Sequence, residues 1–342
     1  MAGKPNILLI YTGGTIGMIK DFETGALRNF DFKELLQHIP ELKLLDCQIN
    51  TISFSDPIDS SNMNPEHWIS IAEIIEENYD SMDGFVVLHG SDTMSYTASA
   101  LSFMLENLGK PVIFTGSQLP IGDLRTDAKE NLITSIQIAA LREKGKPKVQ
   151  EVCLYFEYKL YRANRTTKIS AEHFEAFQSM NFPPLAESGM HLVFNTPLLI
   201  RPNPNKTFRV HKNLESEIIL IKMFPGIQES VIKHIVGYKN LRGLILETYG
   251  TGNVTTEKWF LDSIASLIER KIPVVNITQC EGGGVNMGMY ETSTDLKKIG
   301  VISGKDCTSE TAVAKMMYLL GQKVSFNSFK TIFETALRGE MR

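Results

Sequence analysis

Short apolar runs alternate along this chain with longer segments whose apolar residues recur every three or four positions. The runs, at 6–11, 51–54, 84–89, 111–115, 151–156, 217–223, 243–248 and 273–278, are β-type in composition and predict buried strands. The helical spacing falls at 65–79, behind a candidate cap at Asn64, and at 92–107, 125–143, 229–238, 256–270 and 309–320. This alternation predicts an α/β protein with parallel sheets covered on both faces.

One stretch breaks the pattern. Residues 196–213 hold Pro197, Pro202 and Pro204 among Asn and Lys, with no sustained period. They read as a linker, set at 196–215, between domains at 1–195 and 216–342. The length of 342 residues suits two domains of ordinary size. Apolar content of 43%, charged content of 22% and a net charge of −4 describe a globular chain and argue against nucleic acid or an anionic membrane as the main partner. The apolar start at Ile7–Tyr11 is too short for a signal sequence, and no segment reaches the ~20 apolar residues of a membrane span. Cys47, Cys153, Cys280 and Cys307 lie far apart and form no paired motif, so the expected compartment is a reducing cytoplasm.

The chemistry gathers at strand ends. Thr12-Gly13-Gly14-Thr15-Ile16-Gly17 follows the first strand. A dinucleotide phosphate loop requires glycine where Thr12 stands, and a Walker loop requires a Gly-Lys-Ser/Thr ending that is missing. Thr15 reads either as a nucleophile or as the cap of a tight turn. The segment behind it, 18–29, shows no clear period and suits a loop that closes over substrate. His89-Gly90-Ser91-Asp92-Thr93-Met94 follows the third strand, and His89 there reads as a structural hydrogen-bonder. Ser91 and Asp92 alone suit plain helix capping. Lys168, in Asn164-Arg165-Thr166-Thr167-Lys168, alone suits a surface charge. Brought together, two hydroxyls, a carboxylate and a lysine supply an amide-cleaving site without metal or thiol.

These segments resemble the L-asparaginase family, in particular its cytoplasmic type I branch. The resemblance runs from Ile7 to about Glu340 through five ordered segments: 11–17, Asp59-Ser60-Ser61-Asn62-Met63, 89–94, 164–168, and Thr278-Gln279-Cys280 followed by 284–290. It implies two α/β domains, each a mostly parallel sheet with helices on both faces, the larger N-terminal and the smaller C-terminal one flavodoxin-like. It implies hydrolysis of L-asparagine to L-aspartate and ammonia, with Thr15 as nucleophile and Ser91, Asp92 and Lys168 as a second catalytic group. Asp92 would also bind the substrate ammonium. Asp59, Ser60 and Ser61 would lie along its carboxylate, and Thr115, Gly116 and Ser117 would border its side-chain amide. Asn253 would reach a neighbouring subunit's site, making a dimer, or a dimer of dimers, the working unit.

Three positions depart from the family pattern. Ser91 stands where threonine is usual, losing a methyl that restricts χ1. Glu23-Thr24-Gly25-Ala26-Leu27 holds no tyrosine where many members carry one. Glu247 stands where an arginine serves an effector pocket, also lined by the positions of Thr278 and Cys280, in some type I members. No cluster with metal-ligand spacing is visible, so no cofactor is implied. The rival readings are a nucleotide-dependent enzyme, a non-catalytic asparagine sensor, and a glutaminase or other amidase on the same fold.

Overall fold

The computed structural model describes residues 3–20, 27–29, 39–288 and 291–342. The chain divides into two compact units, Met1–Lys212 and Asn213–Arg342.

The first unit is built on an eight-stranded sheet. Its strands are β1 (Asn6–Tyr11), β2 (Gln48–Ser53), β3 (Gly84–Leu88), β4 (Val112–Thr115), β5 (Val152–Phe156), β6 (Lys159–Arg162), β7 (Ala186–Ser188) and β8 (Leu192–Phe194). Their order is β8-β7-β6-β5-β4-β3-β1-β2. From β2 to β5 every pairing is parallel; β5 to β8 pair antiparallel. The parallel strands β3, β4 and β5 are buried along their whole length, which is why they read as unbroken apolar runs. Helices α1 (Pro65–Asn78), α2 (Met94–Met104) and α3 (Ala128–Ala140) cover the sheet. Asn64 caps α1 by accepting from Glu66 N and His67 N at 2.9 and 3.2 Å. Ile7, Leu9, Val86, Leu88, Ile113, Leu132 and Ile136 share one core, each such side chain stabilising by about 1.5–3 kcal/mol on burial. Helix α2 stops at Met104 because Leu105–Glu106 turns into a short strand against Arg209–Val210.

The proline-containing segment lies on this unit up to Lys212. Thr196–Leu198 forms one 3-10 turn, Ile200 N donates to Glu151 Oε1 at 2.8 Å, and the Asn107 side chain holds the backbone of Asn203 and Lys206.

The second unit carries a parallel sheet in the order β9 (Ile218–Lys222), β10 (Gly243–Thr248), β11 (Val274–Thr278) and β12 (Ile302–Ser303). Its helices are α4 (Glu229–Val236), α5 (Lys258–Glu269), α6 (Glu291–Lys298), α7 (Ser309–Gly321) and α8 (Phe326–Phe333). Leu244, Leu246, Val274, Phe260, Ile264 and Leu267 fill its core. A fully buried ion pair fastens the C-terminal residues. Lys315 Nζ donates to Glu340 and to the carbonyls of Phe333 and Thr335, the latter two at 2.7 Å. Among the described residues no helix is long and apolar enough to cross a membrane.

Candidate active site

Parallel strands bring loop-bearing ends to one edge of a sheet, where α/β proteins bind ligands. At that edge the loop after β1 is sewn to its neighbours through Thr12. Thr12 N and Oγ1 donate to Leu88 O at 3.0 and 2.9 Å, and Ile58 N donates to Thr12 O at 2.8 Å. Gly14 follows with φ +89°, and a Cβ there would stand 2.5 Å from Gly90 Cα. Only glycine permits this approach, so the loops after β1 and β3 touch backbone to backbone. Thr15 and Ser91 are the next residues on these two loops. Thr15, half-buried, opens a single 3-10 turn to Gly17. Residues 23–26, where the family tyrosine is missing, lie outside the described residues, as do 289–290 of the fifth segment.

His89 is wholly buried, and its backbone N–H donates to Thr115 O at 2.9 Å. Its Nδ1 stands 2.7 Å from Gly90 O. A carbonyl only accepts, so Nδ1 carries the proton. Burial pushes the ring's pKa from 6.5 down to about 4, which keeps it neutral and suits the structural part expected of it.

Lys168 comes to the same edge from 77 residues away in the chain. Its Nζ donates to Ser91 Oγ at 2.8 Å and to Asp92 Oδ1 at 2.7 Å. The lysine side chain is 17% exposed and that of Asp92 65%. Alternate residues of 164–168 walk up the side of α2 to reach this place. Asn164 Nδ2 donates to Ser102 Oγ at 3.1 Å, Thr166 Oγ1 meets Ser95 Oγ at 3.0 Å, and Lys168 meets Ser91.

Asp59, Ser60 and Ser61 form a tight turn beside these loops. Asp59 Oδ1 accepts from Ser61 N at 2.9 Å and Ser61 Oγ at 2.8 Å, and these bonds lower its pKa. Thr93 Oγ1 ties the turn to the β3 loop by donating to Ser60 O at 2.7 Å. The hydroxyls after β4 are engaged in the scaffold: Thr115 Oγ1 donates to Tyr155 O at 2.9 Å and Ser117 Oγ to Leu119 O at 2.6 Å. Asn253 belongs to the second unit, where it closes a tight turn after β10 by bridging to Tyr249. Thr278 Oγ1 there donates to Gly250 O at 2.6 Å and accepts from Cys280 N at 3.0 Å. Glu247 is 8% exposed, accepts from Ser309 Oγ at the start of α7, and has Lys222 Nζ at 3.8 Å.

Sequence reasoning missed three residues at this edge: Thr93, Gln118 and Asp127. Gln118 Oε1 accepts from Ser91 Oγ at 3.1 Å. Asp127 accepts from Gln118 N at 2.9 Å and Leu119 N at 3.1 Å, shaping the loop after β4. Its place just before α3 signals a helix cap, and nothing local signals a reach back across the loop. Among the described residues no group of three or more His, Cys, Asp and Glu is placed to hold a metal ion.

Comparison with known proteins accounts for nearly the whole chain. The family model described as asparaginase, N-terminal, matches residues 6–199, and that of the glutaminase/asparaginase C-terminal domain matches 217–333. L-asparaginase 1 of Escherichia coli (strain K12) is 43% identical over 340 residues, covering 99% of this chain and 98% of that protein. The crystal structure of L-asparaginase I from Vibrio cholerae O1 biovar eltor superposes with a TM-score of 0.90 at 41% identity, over 99% of this chain and 100% of that one. The thermostable L-asparaginase from Thermococcus kodakarensis gives 0.88 at 30% identity, over 98% and 99%. This chain belongs to the asparaginase family.

Proposed function

We propose that this protein hydrolyses L-asparagine to L-aspartate and ammonia. The observation that carries the reading is the Lys168–Ser91–Asp92 cluster, set beside a Thr15 loop in backbone contact with its own. Full-length relatives named as L-asparaginases support it. Thr15 Oγ1 attacks the side-chain carbonyl carbon of the substrate. The amide C–N bond breaks, the nitrogen leaves as ammonia with the hydroxyl proton, and an aspartyl ester remains on Thr15. Water cleaves the ester, releasing aspartate and restoring the threonine. In a second route Ser91 and Lys168 activate water for direct attack. In both, backbone N–H groups of the Gly13-Gly14 and Gly90 turns are the donors offered to the oxyanion.

Asp92 is exposed and only partly engaged by Lys168, so it suits the substrate ammonium. Asp59, Ser60 and Ser61 form the turn set for its carboxylate end, where the Ser61 N–H and hydroxyl that now bond Asp59 would have to turn to the substrate, and Ser117 borders the amide through its backbone. Asn253 completes the site of a second subunit in a dimer or a dimer of dimers, and the protein works in the cytoplasm. The test is ammonia release from L-asparagine, with L-glutamine assayed in parallel. Thr15→Ala should cut turnover by about 10³-fold or more with the melting temperature preserved, and Thr15→Ser should retain part of it. Near-parent release by the alanine variant would move the nucleophile elsewhere. Light scattering should give a dimer or tetramer, and an active monomer would remove Asn253 from the site.

A further inference from the structure

We propose that Gln118 is a positioning residue for Ser91, holding its hydroxyl where Lys168 can use it. This rests on the asparagine-hydrolysing reading. A serine hydroxyl has one proton to give and lone pairs to receive. Lys168 Nζ donates to a lone pair at 2.8 Å, and the proton goes to Gln118 Oε1 at 3.1 Å. Serine carries a single heavy atom on Cβ, so χ1 has three staggered wells open to it. The two bonds together select one.

The glutamine can do this because it is itself fixed at three points. Its Nε2 donates to His173 O at 3.1 Å, which forces Oε1 toward Ser91. Its backbone N–H is held by both oxygens of Asp127, at 2.9 and 3.1 Å. Asp127 in turn is held by Asn131 Nδ2 at 3.2 Å, and the same amide nitrogen bonds Gly116 O at 3.1 Å. A buried carboxylate, whose pKa burial raises, is thus spent on shaping one loop. Gln118 connects this loop to the Lys168 cluster through the bond it accepts from Ser91.

Substitutions separate positioning from architecture. Gln118→Leu removes both the acceptor for Ser91 and the donor for His173. Gln118→Glu keeps an acceptor toward Ser91 and removes the donor. Gln118→Leu should lower kcat/KM for L-asparagine about tenfold, from a rotamer population near one third and a lost neutral hydrogen bond. Gln118→Glu should lose about threefold, less than the leucine variant, since an acceptor toward Ser91 survives while its anchor on His173 O is lost and its charge faces Asp92. In a Ser91→Thr background the β-methyl restrains χ1 by itself, so the Gln118→Leu penalty should shrink to about twofold.

Equal losses for the leucine and glutamate variants, with an undiminished penalty in the Ser91→Thr background, would overturn the proposal. So would unfolding of both Gln118 variants, because it would assign the residue to the loop's architecture. A parent protein that releases no ammonia from L-asparagine would instead sink the function reading. Activity in the parent without coupling between Gln118 and Ser91 would sink this inference alone.

Discussion

His89 carries stability that pH can remove. Burial drives its pKa from 6.5 to about 4, against a smaller upward pull from the Gly90 carbonyl. The fold therefore holds the neutral ring, while an unfolded chain protonates near its ordinary value. With the folded pKa the lower of the two, the stabilisation is complete above 6.5 and drains away as pH falls toward 4. Between about pH 7 and about pH 4.5 the loss is about 2–3 kcal/mol. Carboxylates titrate over the same range. Glu157, raised from 4.5 to about 7 by burial and by the charges of Asp127, Glu130 and Glu175, acts with the opposite sign and gains as it is protonated. A difference measurement separates them. His89→Asn keeps an amide donor beside Gly90 O and removes the titration. Urea unfolding of parent and variant should show the parent's advantage at about pH 7 shrink by about 2–3 kcal/mol at about pH 4.5. An advantage that does not change with pH would mean the ring is solvated or already charged in the fold, and the burial argument would fail.

Other changes test the site and its support. Gly14→Ala places a Cβ against the Gly90 backbone at φ +89°, so it should cost about 1–3 kcal/mol and cut turnover about 10²-fold by displacing Thr15; parent-like turnover would show that the two loops need not touch. Lys315→Met leaves the Glu340 carboxylate buried without its cation, and urea unfolding should show a loss of about 3–5 kcal/mol, whereas a loss below 1 would mean water reaches the pair. Initial rates should rise hyperbolically with L-asparagine. Glu247 meets an effector carboxylate with like charge, and its own oxygens are engaged by Ser309 and Lys222. A Hill coefficient clearly above one, lost on mutating Thr278, would show that another cation serves such a pocket.

How much was legible in the sequence follows from where each residue finds its partner. Strands β1 and β10 begin and end where the predicted runs do; both are buried and mostly apolar, with Glu247 and Thr248 closing β10 at the loop-bearing edge. Strand β2 starts three residues before the run predicted at 51–54. It lies at the sheet edge, and Gln48 and Asn50 face outward among its apolar positions. The antiparallel strands β6 and β7 escape because Lys159, Arg162, Glu187 and Ser188 break their three or four residues, and β8, though its Leu192-Val193-Phe194 is apolar, is too short to make a run. Helix α8 lies beyond the last predicted helix at 309–320, although Phe326, Phe329 and Phe333 stand at helical spacing.

The site divides along the same line. The Gly13-Gly14 and Gly90 turns announce themselves, because a backbone that must pass this close admits one residue type. Lys168 does not, since its partners are chosen by topology. Yet a trace of that choice lies in the sequence. Asn164, Thr166 and Lys168 alternate; Asn164 sits in the 3-10 turn Ala163–Arg165, and the chain runs extended from Thr166 into Thr167–Lys168. Ser91, Ser95 and Ser102 are spaced four and seven apart, which carries one face up through α2 and the turn before it. The two periods meet rung by rung, from Asn164 on Ser102 through Thr166 on Ser95 to Lys168 on Ser91. The lysine's height is therefore set by the two rungs beneath it. A polar stripe on a buried helix, which composition alone would count against burial, is what delivers the cation to the hydroxyl.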